Sequence, residues 1–328
     1  MPLVAVACRR GPDVLDLSGS TMGTTYSIVA VDHDGRVDTG EARSAIEAAL
    51  ARVNSQLSNW DPASDVSRFN RAAAGETYPV SSGFHDVIQA ADGIHWASDG
   101  AFDVTLGPLI ETWGFGARPG LHHSPDDAAI AEALMAVGQD KLQLGGSGLS
   151  KSNSRTEVYT SGIGKGYGVD QVAAALDALG LSDYMVEIGG DLYTAGRNPD
   201  GLPWQIGIET PDPFDRSLQE IAEVSGLGMA TSGDYRNYFE EDGMRYSHIL
   251  DARTGRPITH TTASATVLAE SAMMADGWAT AMLALGRDKG LDIADQHDLA
   301  VLFVDRDIGS HPGGFAATPS RRFRELQG

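Results

Sequence analysis

Residues 269–285 read as a helix that is apolar nearly all round, and such a helix has to be enclosed by the rest of the fold. Asp276, in its middle, therefore sits where a bare carboxylate is costly and needs a cation or several hydrogen-bond donors. Thr280 follows four residues later, so both oxygens project from one side of the helix. A carboxylate and a hydroxyl are hard ligands, and magnesium takes one or two protein carboxylates while waters and substrate phosphate complete its octahedron. The alternative is a buried Asp satisfied by backbone N–H groups alone.

A chain of 328 residues is long enough to supply that enclosure, and a 42% hydrophobic content with 39 glycines fits a globular protein. Helical periodicity is visible at residues 41–57, 82–98, 126–137 and 169–179, besides the apolar helix. Strand-like runs lie at 18–31, interrupted by a turn, and at 184–188, 204–209, 228–231, 245–250 and 300–304. The order lacks the repeated βαβ units of a doubly wound sheet, which favours an α+β fold of mixed sheet and helices. One domain is expected over 19–310, between an N-terminal tail (1–18) and a loose C-terminal tail (311–328).

With 24 basic against 45 acidic residues, the net charge of -21 repels nucleic acid. It repels a free dinucleotide as well, so a dinucleotide-binding enzyme here needs local dipoles, a lysine or a cation to hold the pyrophosphate. Cys8 is the only cysteine, which leaves no intramolecular disulfide and no cluster ligated by this chain alone. The short apolar run before Cys8 looks like the tail of a lipoprotein signal without its charged start; a disordered terminus is the alternative. No other stretch approaches the roughly 18 apolar residues of a membrane span.

Four further segments carry candidate chemistry. Residues 161–170 combine four glycines with Lys165 just before a helix, a combination suited to an anion, although the spacing is not that of a Walker A loop. Ser232 follows a strand end in a turn that can be an anion-binding nest or an ordinary helix N-cap. His248 sits on an apparent strand entering a turn rich in Asp, Arg and Thr, neighbours that tune a general base. Residues 100–116 read either as a glycine-punctuated turn with aromatic anchors or as the lip of a cleft at Ala101, Phe102 and Asp103.

Taken in order, these segments resemble the ApbE family of FAD:protein FMN transferases. The likeness rests on Met22-Gly23-Thr24-Thr25-Tyr26, on Leu57 to Pro62 with Ser67-Arg68-Phe69-Asn70, and on GAFDVTLGPL at 100–109. It continues through GKGYGVD at 164–170, EIGGDLYTAG at 187–196, TSGDY at 231–235, SHILDARTG at 247–255 and ADGWAT at 275–280. Three departures stand out: Trp60 replaces a frequent Tyr, Tyr159 a frequent Asp, and Ala252 the usual Pro. Ala279 also lacks a carboxylate that some members carry beside the metal.

The resemblance implies a Mg2+-dependent transferase with FAD as bound substrate. FAD would lie against Met22 and Trp60, with Ala101, Phe102 and Asp103 at the edge of the site and Lys165, Ser232, His248 and Ile249 toward the pyrophosphate. Mg2+ would be held by the carbonyl of Gly164 with Asp276 and Thr280, and His248 would be the base that deprotonates an acceptor Thr or Ser. The implied acceptors are flavoprotein subunits of membrane redox complexes, of the sodium-pumping NADH:quinone reductase or Rnf type, modified at a Ser/Thr-Gly-x-Thr-like segment. Placement would be periplasmic, anchored to the inner membrane by a lipid at Cys8. An FAD pyrophosphatase using the same groups, and a non-catalytic flavin-binding lipoprotein, are the alternatives.

Overall fold

The computed structural model describes residues 13–118, 123–146, 148–212, 217–235, 237–307 and 314–328. The interrupted strand near the start resolves into a hairpin, β1 (Asp13–Thr21) and β2 (Thr24–Asp32). Met22 and Gly23 form its two-residue turn, both at positive φ, 49° and 72°. Helices α1 (Thr39–Leu57), α2 (Asp65–Asn70), α3 (Ser82–Ala97), α4 (Gly107–Thr112) and α5 (Asp127–Leu134) follow. Asp38, Ser64, Ser81 and Asp126 accept amide hydrogen bonds at the starts of α1, α2, α3 and α5, the role for which short polar residues are favoured.

A small hairpin, β3 (Leu142–Gly145) and β4 (Gly148–Lys151), leads to α6 (Gly164–Ala178), β5 (Asp183–Ile188) and β6 (Asp191–Ala195). Next come the hairpin β7 (Gln205–Glu209) and β8 (Leu218–Glu223), then β9 (Gly228–Gly233). Short pairs β10 (Tyr238–Glu241) with β11 (Met244–Ser247), and β12 (Leu250–Asp251) with β13 (Arg256–Pro257), precede β14 (Thr262–Ala269). The chain closes with α7 (Ala272–Leu285), α8 (Arg287–His297), β15 (Ala300–Asp307), β16 (Gly314–Pro319) and α9 (Arg321–Gln327).

Eight strands form one sheet in the order β1-β2-β5-β6-β9-β14-β15-β16, and every adjacent pair is antiparallel. This is the α+β arrangement of mixed helices and sheet expected from the absence of βαβ units. Val267, Val301 and Phe303 pack on the face covered by α7 and α3; Leu268 and Leu302 pack on the opposite face with Ile208 of β7, Ala222 of β8 and Phe323 of α9. Cover on both faces explains why β14 and β15 read as continuous apolar runs. The apolar helix α7 lies where its sequence demands, against β9 and β14 and between α6 and α3, with Ala275, Trp278, Ala279, Met282 and Leu283 all buried.

Two expectations about the ends are corrected. Residues 13–18 belong to β1, and the C-terminal segment is no loose tail: β16 pairs along β15, and α9 inserts Phe323 into the core. An edge strand and a short helix need no periodicity of their own when their partners supply the hydrogen bonds and the apolar surface. Cys8 and the expected lipoprotein-like start lie outside the described residues. Among those described, no helix is long and apolar enough to cross a membrane.

Candidate functional site

The glycine-rich segment differs most from its expected form. The helix starts at Gly164, so Gly164, Gly166 and Gly168 are helical residues and not a loop preceding the helix at 169. Close packing is the reason. A Cβ on Gly166 would come 2.1 Å from the carbonyl oxygen of Ala272 at the start of α7, and one on Gly168 would come 2.7 Å from Cε of Met22. The free amides at the start of α6, which carries no side-chain cap, are met in part by Asp276 of α7, whose Oδ2 accepts from Gly166 N–H at 3.0 Å.

Asp276 is 3% exposed, and its Oδ1 lies 4.0 Å from Nζ of Lys165. The same ammonium donates to Asp191, a buried carboxylate directly after the Gly189-Gly190 turn. Burial opposes the charge on Lys165, and Asp191 and Asp276 more than offset it, holding the ammonium above its ordinary pKa. Asp191 is pushed upward by burial and by the nearby Asp276 carboxylate. Two buried carboxylates around one ammonium leave a surplus of negative charge that a cation or a shared proton balances.

Thr280 stands one turn beyond Asp276. Its hydroxyl donates to the carbonyl of Gly162 at 3.3 Å and lies 3.2 Å from Oγ of Ser232, which forms a short chain of oxygens from β9 to the start of α6. The carbonyl beside Thr280 is thus that of Gly162, while Gly164 sits within the first turn of α6 and donates its N–H to the Thr160 carbonyl. Carboxylate, hydroxyl and carbonyl oxygens suit a hard divalent cation. Among the described residues there is no cluster of three or more His, Cys, Asp or Glu side chains of the kind that holds a metal.

His248 is not on a strand: β11 ends at Ser247, and His248 with Ile249 forms the link to β12. Its ring Nδ1 lies 2.9 Å from the carbonyl oxygen of Asn237, and because a carbonyl only accepts, Nδ1 carries the hydrogen and Nε2 the lone pair. The density of protein around the half-buried ring disfavours the imidazolium and lowers its pKa, against the opposing effects of the Asn237 bond and Asp234. A neutral ring with a free Nε2 is the protonation state a general base requires. Ser232 is a β9 residue followed by no helix, so its turn is not a helix N-cap; Asp234 just beyond it is gripped by both guanidinium nitrogens of Arg306.

These groups meet around two adjoining cavities. The larger in lining, about 260 Å3, is walled by Ala101, Phe102, Asp103, Ser232, His248, Ile249, Asp276 and Thr280. The second, about 480 Å3, is walled by Met22, Trp60 and Gly164, and the two share Ser161 and Lys165. All twelve residues singled out in the sequence therefore line one or the other. Trp60 is 62% exposed and meets Tyr159 only edge-on, at 6.4 Å between ring centroids, so its face is available for stacking. Asp103 holds the turn at the cavity edge by accepting from the amide and hydroxyl of Thr105.

Sequence reasoning missed the supporting groups. Asn59 and Asn70 both donate to the Val158 carbonyl, and Lys151, 1% exposed, donates to the carbonyls of Asn70, Ser154 and Thr156. Together they fix residues 156–160, which carry Tyr159 and Thr160 to the cavity wall. Asn59, Asn70 and Asp191 stood in the quoted motifs with no role assigned to them; the burial of Lys151 had no local signal, because Asn70, which accepts from it, lies 81 residues away.

Comparison with known proteins matches the same span. A model described as the ApbE family matches residues 22–303. The FAD:protein FMN transferase of Vibrio cholerae is 42% identical over 304 residues, covering 92% of this chain and 90% of that protein. The FAD:protein FMN transferase of Haemophilus influenzae is 40% identical over 99% of this chain and 95% of its own length. Among solved structures, the flavin transferase ApbE of Vibrio cholerae superposes with a TM-score of 0.89 at 39% identity, covering 96% of this chain and 99% of the other. The apo flavinyl transferase ApbE of Pseudomonas stutzeri gives 0.88 at 40% identity, with 96% and 97% covered.

Proposed function

The chain belongs to the ApbE family, and from that premise we infer that it transfers the FMN part of FAD to a target protein. The observation that carries this into chemistry is the convergence of a neutral His248, a Lys165 held charged and the stacking face of Trp60 on two cavities that meet at Ser161 and Lys165. The flavin side of FAD lies against Met22 and Trp60, and the pyrophosphate reaches across Lys165 toward Ser232 and Ile249.

The acceptor is a Thr or Ser hydroxyl. Nε2 of His248 takes the hydroxyl proton, the oxygen forms a bond to the FMN phosphorus, and the bond from that phosphorus to the AMP oxygen breaks in line, so AMP leaves with the electron pair. Lys165 lies where negative charge grows on the phosphates, and its tether to Asp191 orients it before substrate arrives. A hydroxyl is a weak nucleophile at neutral pH, so positioning supplies much of the rate.

Asp276, Thr280 and the carbonyls at the start of α6, Gly162 and Gly164, are the groups that would hold Mg2+; the surplus negative charge at Asp191 and Asp276 supports this. Bound there, the ion would neutralise phosphate charge. The family resemblance also supports acceptors among membrane redox complexes and a periplasmic, lipid-anchored placement through Cys8.

Mass spectrometry of a Thr-bearing acceptor domain incubated with the protein, FAD and Mg2+ tests this conclusion. A mass increase of one FMN, lost with Asp276→Ala, is expected. FMN and AMP released beside an unmodified acceptor would make the protein an FAD pyrophosphatase, and intact FAD would make it a carrier.

A further inference from the structure

A third cavity, of about 310 Å3, adjoins the one that holds His248 and shares Gly189, Thr231 and Gly233 with it. It shares no residue with the cavity of Met22 and Trp60, so it opens on the reaction site by a separate approach. Met185 and Glu187 line it from β5, on the side of that strand opposite the buried Tyr184 and Val186. Strand β7 forms another wall.

The two edges of the β7-β8 hairpin differ. Val224 N–H bonds the Trp204 carbonyl at 2.9 Å, and with the register Gln205↔Glu223, Ile206↔Ala222, Gly207↔Ile221 this alternation directs the backbone groups of Gln205, Gly207 and Glu223 away from the partner strand. On β8 that outward edge is covered: Glu223 N–H donates to Gln327 Oε1 at 2.7 Å and its carbonyl accepts from Gln327 Nε2 at 3.2 Å. On β7 the outward groups of Gln205 and Gly207 are exposed and have no partner among the described residues, and Gly207 lines the cavity. An uncovered strand edge is a template for pairing with another chain.

We propose that this edge of β7 docks the acceptor protein, as an extended segment paired to Gln205 and Gly207 and lying over Met185. The proposal rests on the transferase conclusion, which requires a protein hydroxyl to enter beside bound FAD. A segment laid along β7 runs toward Gly189, Thr231 and Gly233 and brings its hydroxyl to the cavity of His248 and Lys165 without crossing the flavin. The chemistry of the occupant follows. A cavity of this volume takes small side chains on either side of the hydroxyl, and the Glu187 carboxylate at its wall with the chain's net charge of -21 excludes an acidic segment.

The test is steady-state flavinylation of a synthetic peptide bearing Ser-Gly-Ala-Thr, with FAD binding measured separately by flavin fluorescence. Gly207→Pro deletes an outward-facing N–H, a change that edge strands tolerate, and sets its ring against the end of the Leu218 side chain, which can turn aside, and Met185→Trp fills the cavity from a half-buried position. Each variant is expected to raise the peptide KM at least about tenfold with FAD affinity unchanged. Circular dichroism checks folding, and if Gly207→Pro does not fold, Met185→Trp decides alone. An unchanged peptide KM in the folded variants, or an equal loss of FAD binding, would overturn the docking assignment while leaving the transferase standing. A wild-type protein that binds FAD but flavinylates neither the peptide nor an acceptor domain would overturn the transferase conclusion, and the docking assignment with it.

Discussion

Helices α6 and α7 exchange carboxylates. Asp170 of α6 accepts from the first amides of α7, Ala272 at 2.8 Å and Met273 at 3.0 Å, while Asp276 of α7 accepts from Gly166 near the start of α6. The residue type and the task are the same, and the surroundings separate them. Both oxygens of Asp170 are occupied by amides of the chain, and α7 has its own cap in Ser271. Asp276 takes one amide, leaves its other oxygen 4.0 Å from Lys165, and lines a cavity. A carboxylate fully served by its own backbone is structural, and one left incompletely served beside a cavity is available for chemistry.

The sharpest way to break that distinction is to neutralise each in turn. Asp276→Asn should lower flavin transfer by at least about 10²-fold, measured by acceptor mass, whereas Asp170→Asn should leave transfer within a few fold wherever the protein is folded. Equal losses in the two would erase the contrast.

Next in size is the contact that brings the helices together. Gly166→Ala places a methyl group against the Ala272 carbonyl, where no side chain can rotate away, and should destabilise the fold by about 3 kcal/mol as other overpacked sites do. A melting temperature equal to wild type would mean that α6 and α7 separate at little cost.

The smallest effect is a pH dependence. Burial pushes Asp170 up to about 6 in the folded protein, against an ordinary value of 3.8, in spite of its amide partners. The folded state therefore binds the proton more tightly. Its contribution to stability is complete below pH 4 and is lost as pH rises through about 6, by on the order of 2 kcal/mol. Denaturant titrations of Asp170→Asn should show this loss between pH 4 and 6 removed from the wild-type profile; a variant with the same slope would sharpen the comparison by assigning the dependence elsewhere.

Which parts were legible in the sequence follows from the range of the forces involved. Helix α7 was readable because its enclosure is written in its own composition, and the α+β order because periodicity is local. The start of α6 was misread since glycine serves two purposes, loop freedom and close approach, and only the neighbour, Ala272, shows which applies. His248 was found as a residue but placed on a strand, because the alternation of 245–250 carries no sign that β11 stops at Ser247. Asp191 stood in the EIGGDLYTAG motif, but its role was not legible there: its partner Lys165 lies across the fold, and only that contact shows what the carboxylate does. The motifs located the site, and tertiary contacts assigned its electrostatics.

The closing segment of the chain has a practical bearing on handling the protein. Residues 314–328 provide the outermost strand, seat Phe323 in the apolar layer and, through Gln327, shield the edge of β8. A shortened form lacking them would bare β15 and β8 together, two ribbons ready to adhere to their like, so a trimmed preparation would be expected to precipitate long before its active residues were disturbed.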